Sequence, residues 1–80
     1  MKAVIPIAPG FEEIEAVTII DVLRRAQIDV VSAATESSPV TGSHQIVIST
    51  DSSLEKIRPG DFSAIILPGG MPGSKNLMNT

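Results

Sequence analysis

The strongest constraint on the fold is a change of hydrophobic period within the first 33 residues. Residues 3–8 form a continuous apolar run, which is typical of a strand covered on both faces. Between residues 12 and 26 the apolar residues recur instead at i, i+3 and i+4, as in an amphipathic helix. A second apolar run follows at residues 28–33. Because a strand–helix–strand unit joins parallel strands by a right-handed crossover, this segment predicts two neighbouring parallel strands with a helix on one face.

The ends of the predicted helix suit its dipole. Acidic residues lie in the first turn, and Arg24 and Arg25 lie in the last. Pro6 argues against a central position for the first strand, because it has no N–H to donate to a neighbour. The predicted apolar stripe of the helix consists of Ala16, Ile19, Ile20, Leu23 and Ala26, widened by Val17 and Val22.

The second half of the chain predicts a less regular continuation of the sheet. Residues 35–43 are rich in Ser, Thr, Pro and Gly and predict a loop, whereas the apolar run within residues 45–50 predicts another strand, one arm of an excursion at the sheet edge. Residues 51–55 predict the opening of a short helical turn, which Pro59-Gly60 ends. The apolar residues 64–67 predict a buried strand.

Four strands and one full helix predict an open sheet with one face uncovered. Ser74 would cap a further helix that runs for about two turns before Thr80. A domain seldom ends at such a point, so we expect the rest of the fold to lie on another chain or to be absent from this one.

Composition argues against several functional classes. The chain has no cysteine and one histidine, His44, so neither a disulfide framework nor a zinc cluster is expected, and we predict no metal and no cofactor. A net charge of −3, scattered basic residues and only two aromatic residues argue against nucleic acid as a partner. No segment approaches the roughly 20 apolar residues of a membrane helix, so we expect no membrane partner and read the N-terminus as the first strand of a cytoplasmic protein.

Two loops follow the ends of predicted strands, at residues 9–15 and 68–73. If these strands are neighbours in a parallel sheet, both loops line one crevice, which is where open sheets bind ligands. The main-chain N–H groups of Gly69 and Gly70 could stabilise an oxyanion there, although a glycine pair also serves a plain tight turn. The spacing of the glycines does not match that of a nucleotide-binding loop.

Glu15 is the candidate acid or base of this crevice. Glu12, Glu13 and Glu15 all lie at the helix start, where acids commonly act only as solvent-exposed dipole partners. Glu15 differs because it lies on the border of the apolar stripe, from which its carboxyl could point into the crevice. His44 reads as a surface histidine without acidic neighbours, and Ser74 reads as a helix cap rather than a nucleophile.

Three segments carry a resemblance to a known family: P-G-F-E-E-I-E-A-V at residues 9–17, D-V-L-R-R-A at 21–26 and L-P-G-G at 67–70. In their order and spacing the chain resembles the ThiJ/PfpI family, particularly its branch of the Parkinson-disease-associated protein deglycase. The resemblance implies a flavodoxin-like, doubly wound and mostly parallel α/β sheet, usually in a homodimer. It also implies glyoxalase-type or deglycase activity on a small aldehyde, methylglyoxal, or its adducts; older names in the family refer to thiazole biosynthesis.

The resemblance also assigns roles to residues. Glu15 matches the family glutamate whose protonated carboxyl hydrogen-bonds a reactive cysteine, and Gly69 and Gly70 match the loop that forms the oxyanion hole. His44 stands where several relatives carry an arginine near the dimer interface. The cysteine on its nucleophile elbow and a following histidine would lie past Thr80, so the resemblance assigns residues 1–80 to the N-terminal part of a single domain.

The sequence therefore predicts an enzyme that works only when a cysteine-bearing C-terminal segment completes it, because the chain has no thiolate nucleophile of its own. Two alternatives remain open. One is a non-enzymatic, redox-sensing or chaperone-like module that acts through exposed apolar sheet surface. The other is a relative of the glutamine amidotransferases, which share the elbow architecture.

Overall fold

The computed structural model describes residues 2–68, which form a parallel sheet with one α-helix. The elements are β1 (Lys2–Ile7), α1 (Glu13–Arg25), β2 (Asp29–Ala34), β3 (Val40–Thr41), β4 (Val47–Ile48), β5 (Ser52–Ser53) and β6 (Ala64–Ile65), with short 3-10 turns at Leu54–Lys56 and Pro59–Asp61. The main sheet has the order β5-β2-β1-β6, and every neighbouring pair within it is parallel. The predicted strand–helix–strand unit is confirmed.

The core lies between β1, β2 and one face of α1. β1 and β2 pair in register from Lys2 with Asp29 to Ile7 with Ala34, and alternate residues of β1 point toward the helix. Phe11, in the loop before α1, is fully buried beside them. The residues of this buried cluster are Ala3, Ile5, Ile7, Phe11, Ala16, Val30, Ala34 and Val40.

The apolar stripe of α1 is narrower than predicted. Ile19, Ile20 and Leu23 pack against the core as expected. Val17 and Val22 do not widen the stripe, because their side chains remain 49% and 54% exposed. No helix among residues 2–68 combines the length and the apolar character needed to cross a lipid bilayer.

The prediction that Pro6 disfavours a central strand was wrong, because β1 lies between β2 and β6. Successive residues of β1 face opposite neighbours. The carbonyl of Val4 accepts from Ile66 N–H at 2.9 Å on the β6 side, and the carbonyl of Ile7 accepts from Thr35 N–H at 3.0 Å on the β2 side. Pro6 therefore faces the β6 side, beyond the two registered pairs of β1 with β6. The missing N–H thus interrupts neither of those pairs.

The middle of the chain forms a separate antiparallel ribbon, β3 with β4, instead of a loop followed by one strand. The predicted loop at 35–43 contains β3, and the strand predicted at 45–50 is reduced to β4. Val40 pairs with Ile48, and Thr41 pairs with Val47. Because both strands are only two residues long and are joined by a tight turn, local hydrophobic patterning alone gives little indication of them.

The segment from residue 51 to 61 also differs from its prediction. The helical turn predicted at 51–55 is divided between β5, an edge strand paired with β2, and the 3-10 turn Leu54–Lys56. Pro59 does not end that turn but begins the second one, Pro59–Asp61, where a proline at the first position is well tolerated.

The face of the sheet opposite α1, predicted to be uncovered, is only partly open among residues 2–68, because Val4 at its centre is 2% exposed whereas Ile65 is 66% exposed. We call it the apolar sheet face; it borders a cavity of about 700 Å³. Residues 64–67 are not the buried strand that the sequence predicted, because Ile65 and Leu67 are 66% and 57% exposed. The apolar sheet face is lined by Val4, Pro6, Leu54, Ile57, Pro59, Phe62, Ser63, Ala64, Ile65 and Leu67.

Candidate functional site

The loops after β1 and β6 leave the sheet at the same edge. β6 pairs parallel with β1, so the residues that follow Ile7 and those that follow Ile65 both leave carboxyl ends of neighbouring strands. The condition on which the sequence predicted a shared crevice is therefore met. Gly69 and Gly70, the predicted oxyanion loop, lie outside the described residues, as does the helix expected after Ser74.

Glu15 lies in the first turn of α1, and its side chain is exposed. It borders a shallow depression on the outer surface of the helix together with Glu12, Ile14, Thr18 and Ile19. The predicted approach of its carboxyl to the Gly70 amide stays a prediction.

The carboxyl that the fold buries at the helix start belongs to Glu13, which is 4% exposed. The view of these acids as solvent-exposed dipole partners is thus wrong for Glu13. Its Oε2 accepts hydrogen bonds from the backbone N–H groups of His44 at 2.7 Å and Ile46 at 3.3 Å. Its Oε1 accepts from the Ser43 hydroxyl at 3.4 Å. Glu13 therefore anchors the turn between β3 and β4 to the start of α1.

The anchored turn is also bonded to the loop that precedes the helix. Gly10 N–H donates to the Thr41 carbonyl at 2.9 Å, and Ser43 N–H donates to the Phe11 carbonyl at 2.9 Å. Gly10 has a φ of 85°, a left-handed conformation that glycine adopts without the steric cost of a side chain. The β3–β4 ribbon is thereby fixed across the N-terminus of α1.

His44 joins Glu12 and Glu13 in what we call the acid–histidine cluster. Its Nδ1 lies 2.9 Å from Glu13 Oε1 and 3.4 Å from Glu12 Oε1. The prediction of a histidine without acidic neighbours was wrong, although its side chain is 68% exposed and does lie at the surface. The sequence missed the cluster because His44 lies 31 positions after Glu13, and only the folding of the ribbon over the helix start brings it to the two glutamates.

The pKa values of Glu13 and His44 respond to this arrangement. Burial by itself raises the pKa of Glu13, but the hydrogen bonds from the His44 ring and from backbone N–H groups outweigh it and lower the pKa to about 2. The hydrogen bond to Glu13, supported by the charges of Glu12 and Glu13, raises the pKa of His44 above its ordinary value. Both shifts favour a carboxylate–imidazolium pair.

Comparison with known proteins identifies the class to which this fold and sequence belong. The model of the DJ-1/PfpI family matches residues 1–80. The chain belongs to the DJ-1/PfpI family, and the resemblance noted in the sequence is confirmed.

Particular relatives match almost the whole chain. It is 45% identical over 81 residues to Protein DJ-1alpha of Drosophila melanogaster, covering 99% of this chain and 37% of the relative. It is 41% identical over 78 residues to the Parkinson disease protein 7 homolog of Danio rerio, covering 95% of this chain and 41% of the relative. The chain thus spans about two fifths of the length of these relatives.

Solved structures support the fold assignment. The crystal structure of Drosophila melanogaster DJ-1beta superposes with a TM-score of 0.92 at 36% identity, over 99% of this chain and 43% of that one. A DJ-1 superfamily protein of Salmonella typhimurium superposes with a TM-score of 0.90 at 42% identity, over 99% and 43% of the two chains. The mostly parallel sheet and its helix match the flavodoxin-like fold of these neighbours over the part that the chain covers.

Proposed function

We propose that this chain supplies the acid and the oxyanion loop of a deglycase- or glyoxalase-type site, which a cysteine-bearing segment completes. The observation that carries the proposal is the parallel pairing of β1 with β6, because it directs the start of α1, which carries Glu15, and the residues leading to Gly69 and Gly70 to one edge of the sheet. Family membership adds support: the relative named Deglycase TK1284, from Thermococcus kodakarensis, is 30% identical over 70 residues.

In the proposed reaction a thiolate of the completing segment attacks the aldehyde carbon of methylglyoxal or of its adducts. The new C–S bond forms as the C=O π bond opens, which leaves a negative charge on oxygen. The Gly69 and Gly70 amides stabilise this oxyanion, and Glu15 transfers the proton that yields the neutral hemithioacetal. The two roles assigned to this chain belong to the start of α1, which follows β1, and to the glycine pair that follows β6 in the sequence.

The proposal is tested by following methylglyoxal loss with the full protein. We expect Glu15→Gln to lower kcat/KM by about 10²-fold or more, the scale of a lost proton-transfer group. Asp29→Asn is the matched control. Asp29 is an exposed carboxylate at the start of β2, so it lies at the amino ends of the parallel strands, away from the predicted crevice at their carboxyl ends. An unchanged rate in the Glu15 variant would remove Glu15 from the mechanism.

The completing segment is tested separately. Adding a cysteine-bearing segment from the C-terminal part of a family member to this chain should produce methylglyoxal loss that neither component gives alone. A homodimer of the completed protein, as the family resemblance implies, should appear in sedimentation at twice the protomer mass. Activity of the isolated chain without any thiol would contradict this part of the proposal.

The apolar sheet face favours a second candidate function, a chaperone-like module that holds unfolded chains. Exposed Ile65 and Leu67 border its cavity, and a face of this kind binds other apolar surfaces. Suppression of the aggregation of a model client, lost when Ile65 and Leu67 are both changed to Ser while methylglyoxal loss persists, would favour this function over the enzymatic one.

A further inference from the structure

We propose that Glu12, Glu13 and His44 form a binding site for a divalent transition-metal ion of the Zn²⁺ class. The acid–histidine cluster brings together one ligand atom from each residue, and these atoms all lie within 4.8 Å of one another. Two of the ligands come from the start of α1 and the third from the turn between β3 and β4. The site differs from the predicted catalytic crevice in its residues and does not rest on the proposed enzymatic function.

The spacing of the ligand atoms suits a shared ion. Zn²⁺ holds nitrogen and oxygen ligands at about 2.0–2.2 Å, so adjacent ligands lie about 3.0 Å apart at right angles and about 3.4 Å apart in a tetrahedron. The distances from His44 Nδ1 to the two carboxylates are 2.9 and 3.4 Å. Small movements of these side chains therefore admit an ion that replaces the proton on Nδ1.

The carboxylate of Glu13 is oriented in the way that ligands of protein metal sites usually are. The backbone N–H groups of His44 and Ile46 hold its Oε2, which leaves Oε1 directed toward the imidazole. Its side chain is 5% exposed, so few other positions are open to it. Hydrogen bonds of this kind fix a first ligand before the metal arrives, and they reduce the entropy lost on binding.

The donor set selects among ions. Two carboxylates carry the charge that balances a divalent cation, and they offset the unfavourable positive end of the α1 dipole. The imidazole nitrogen favours Zn²⁺, Cu²⁺ or Ni²⁺ over Mg²⁺ and Ca²⁺, which prefer oxygen ligands. Three protein ligands leave at least one coordination position for water or for a small anion.

The test is Zn²⁺ titration by calorimetry of the full protein, freed of metal with a chelator and then dialysed. Glu12→Gln and His44→Gln each replace a side chain that is less buried than Glu13, which keeps the fold intact. We expect each to weaken this Zn²⁺ site by at least tenfold, and Asp29→Asn to leave the affinity unchanged. Comparison of the variants separates this site from any thiolate elsewhere in the protein.

Two further results decide the assignment. Zn²⁺ should perturb the His44 ring nitrogens in NMR spectra, and a hundredfold excess of Mg²⁺ should not reverse the change. A loss of affinity in His44→Gln but not in Glu12→Gln would indicate a single surface histidine and overturn the three-ligand site. Parent-like affinity in both variants would overturn it as well.

Discussion

Asp51 and Ser32 exchange hydrogen bonds in both directions across the edge of the sheet. Ser32 donates from its backbone N–H at 3.0 Å and from its hydroxyl at 3.1 Å to Asp51 Oδ2, and Asp51 N–H donates to the Ser32 hydroxyl oxygen at 2.9 Å. Arg24 of α1 also reaches Asp51 Oδ2, at 2.8 Å. One carboxylate thus ties the chain before β5 to β2 and to the helix.

The Asp51 carboxylate should make folding stability depend on pH in the acidic range. The backbone N–H of Ser32 lowers its pKa below the ordinary value of 3.8; partial burial opposes this effect, and the Ser32 hydroxyl and Arg24 reinforce it. A group with a lowered folded pKa stabilises the fold above its unfolded pKa, and this contribution is lost as pH falls through the folded value. We therefore expect the urea midpoint to drop on acidification below about pH 4.

The variant Asp51→Asn tests whether the Asp51 carboxylate causes this dependence of stability on pH. At pH 7 we expect it to lower the free energy of unfolding by about 1 kcal/mol, a modest value because about half of the side chain is exposed. The difference from the parent should shrink at pH 3. Asp21→Asn is the control, since it breaks an exposed pair with Arg25 and should cost less than about 0.5 kcal/mol. Equal losses at both pH values would show that the charge of Asp51 is not responsible.

Glu13→Gln should destabilise the protein more than Glu12→Gln does. Two backbone N–H groups depend on Glu13 Oε2. A glutamine keeps an oxygen on these donors only when its NH₂ faces His44 Nδ1, and its neutral oxygen is a weaker acceptor than the carboxylate. Hydrogen exchange of the His44 and Ile46 amides should accelerate in Glu13→Gln and stay near the parent rate in Glu12→Gln. Parent-like protection in the Glu13 variant would mean that the ribbon is held by other contacts.

The helix α1 and the ribbon that covers its start differ in how far the sequence could predict them. β1, α1 and β2 each have a hydrophobic period of their own, so their existence and parallel order followed from local patterning. The burial of Glu13 depends on the β3–β4 ribbon, whose two-residue strands leave almost no local signal. The sequence therefore predicted the β1–α1–β2 unit correctly, but it missed the acid–histidine cluster and assigned the ribbon partly to a loop.

Gly42 and Gly60 form a matched pair for testing how tightly the ribbon packs. A Cβ on Gly42 would overlap the Glu13 carboxylate, whereas a Cβ on Gly60 would meet nothing within 4 Å. We expect Gly42→Ala to cost about 1–3 kcal/mol, because the buried carboxylate must move. Gly60→Ala should stay within about 0.5 kcal/mol of the parent in urea denaturation. Equal effects of the two substitutions would contradict the close approach of residue 42 to Glu13.

Phe11 should be a main source of stability at the start of α1. It is 1% exposed, and its carbonyl accepts from Ser43 N–H, so it connects the core with the ribbon. We expect Phe11→Ala to lower the free energy of unfolding by about 3–5 kcal/mol, the usual cost of an emptied aromatic site.

A milder change and a second phenylalanine keep this prediction measurable. Phe11→Leu leaves most of the volume filled and should cost about 1.5 kcal/mol or less, so it folds even if the alanine variant does not. Phe62 is half-buried, and Lys2 Nζ lies 5.1 Å from its ring centroid. We expect Phe62→Ala to lower the free energy of unfolding by about 1–2 kcal/mol. Chemical denaturation of the three variants measures their free energies of unfolding and ranks the three losses. A Phe62→Ala cost equal to or above that of Phe11→Ala would place the main core on the apolar sheet face instead of beneath α1.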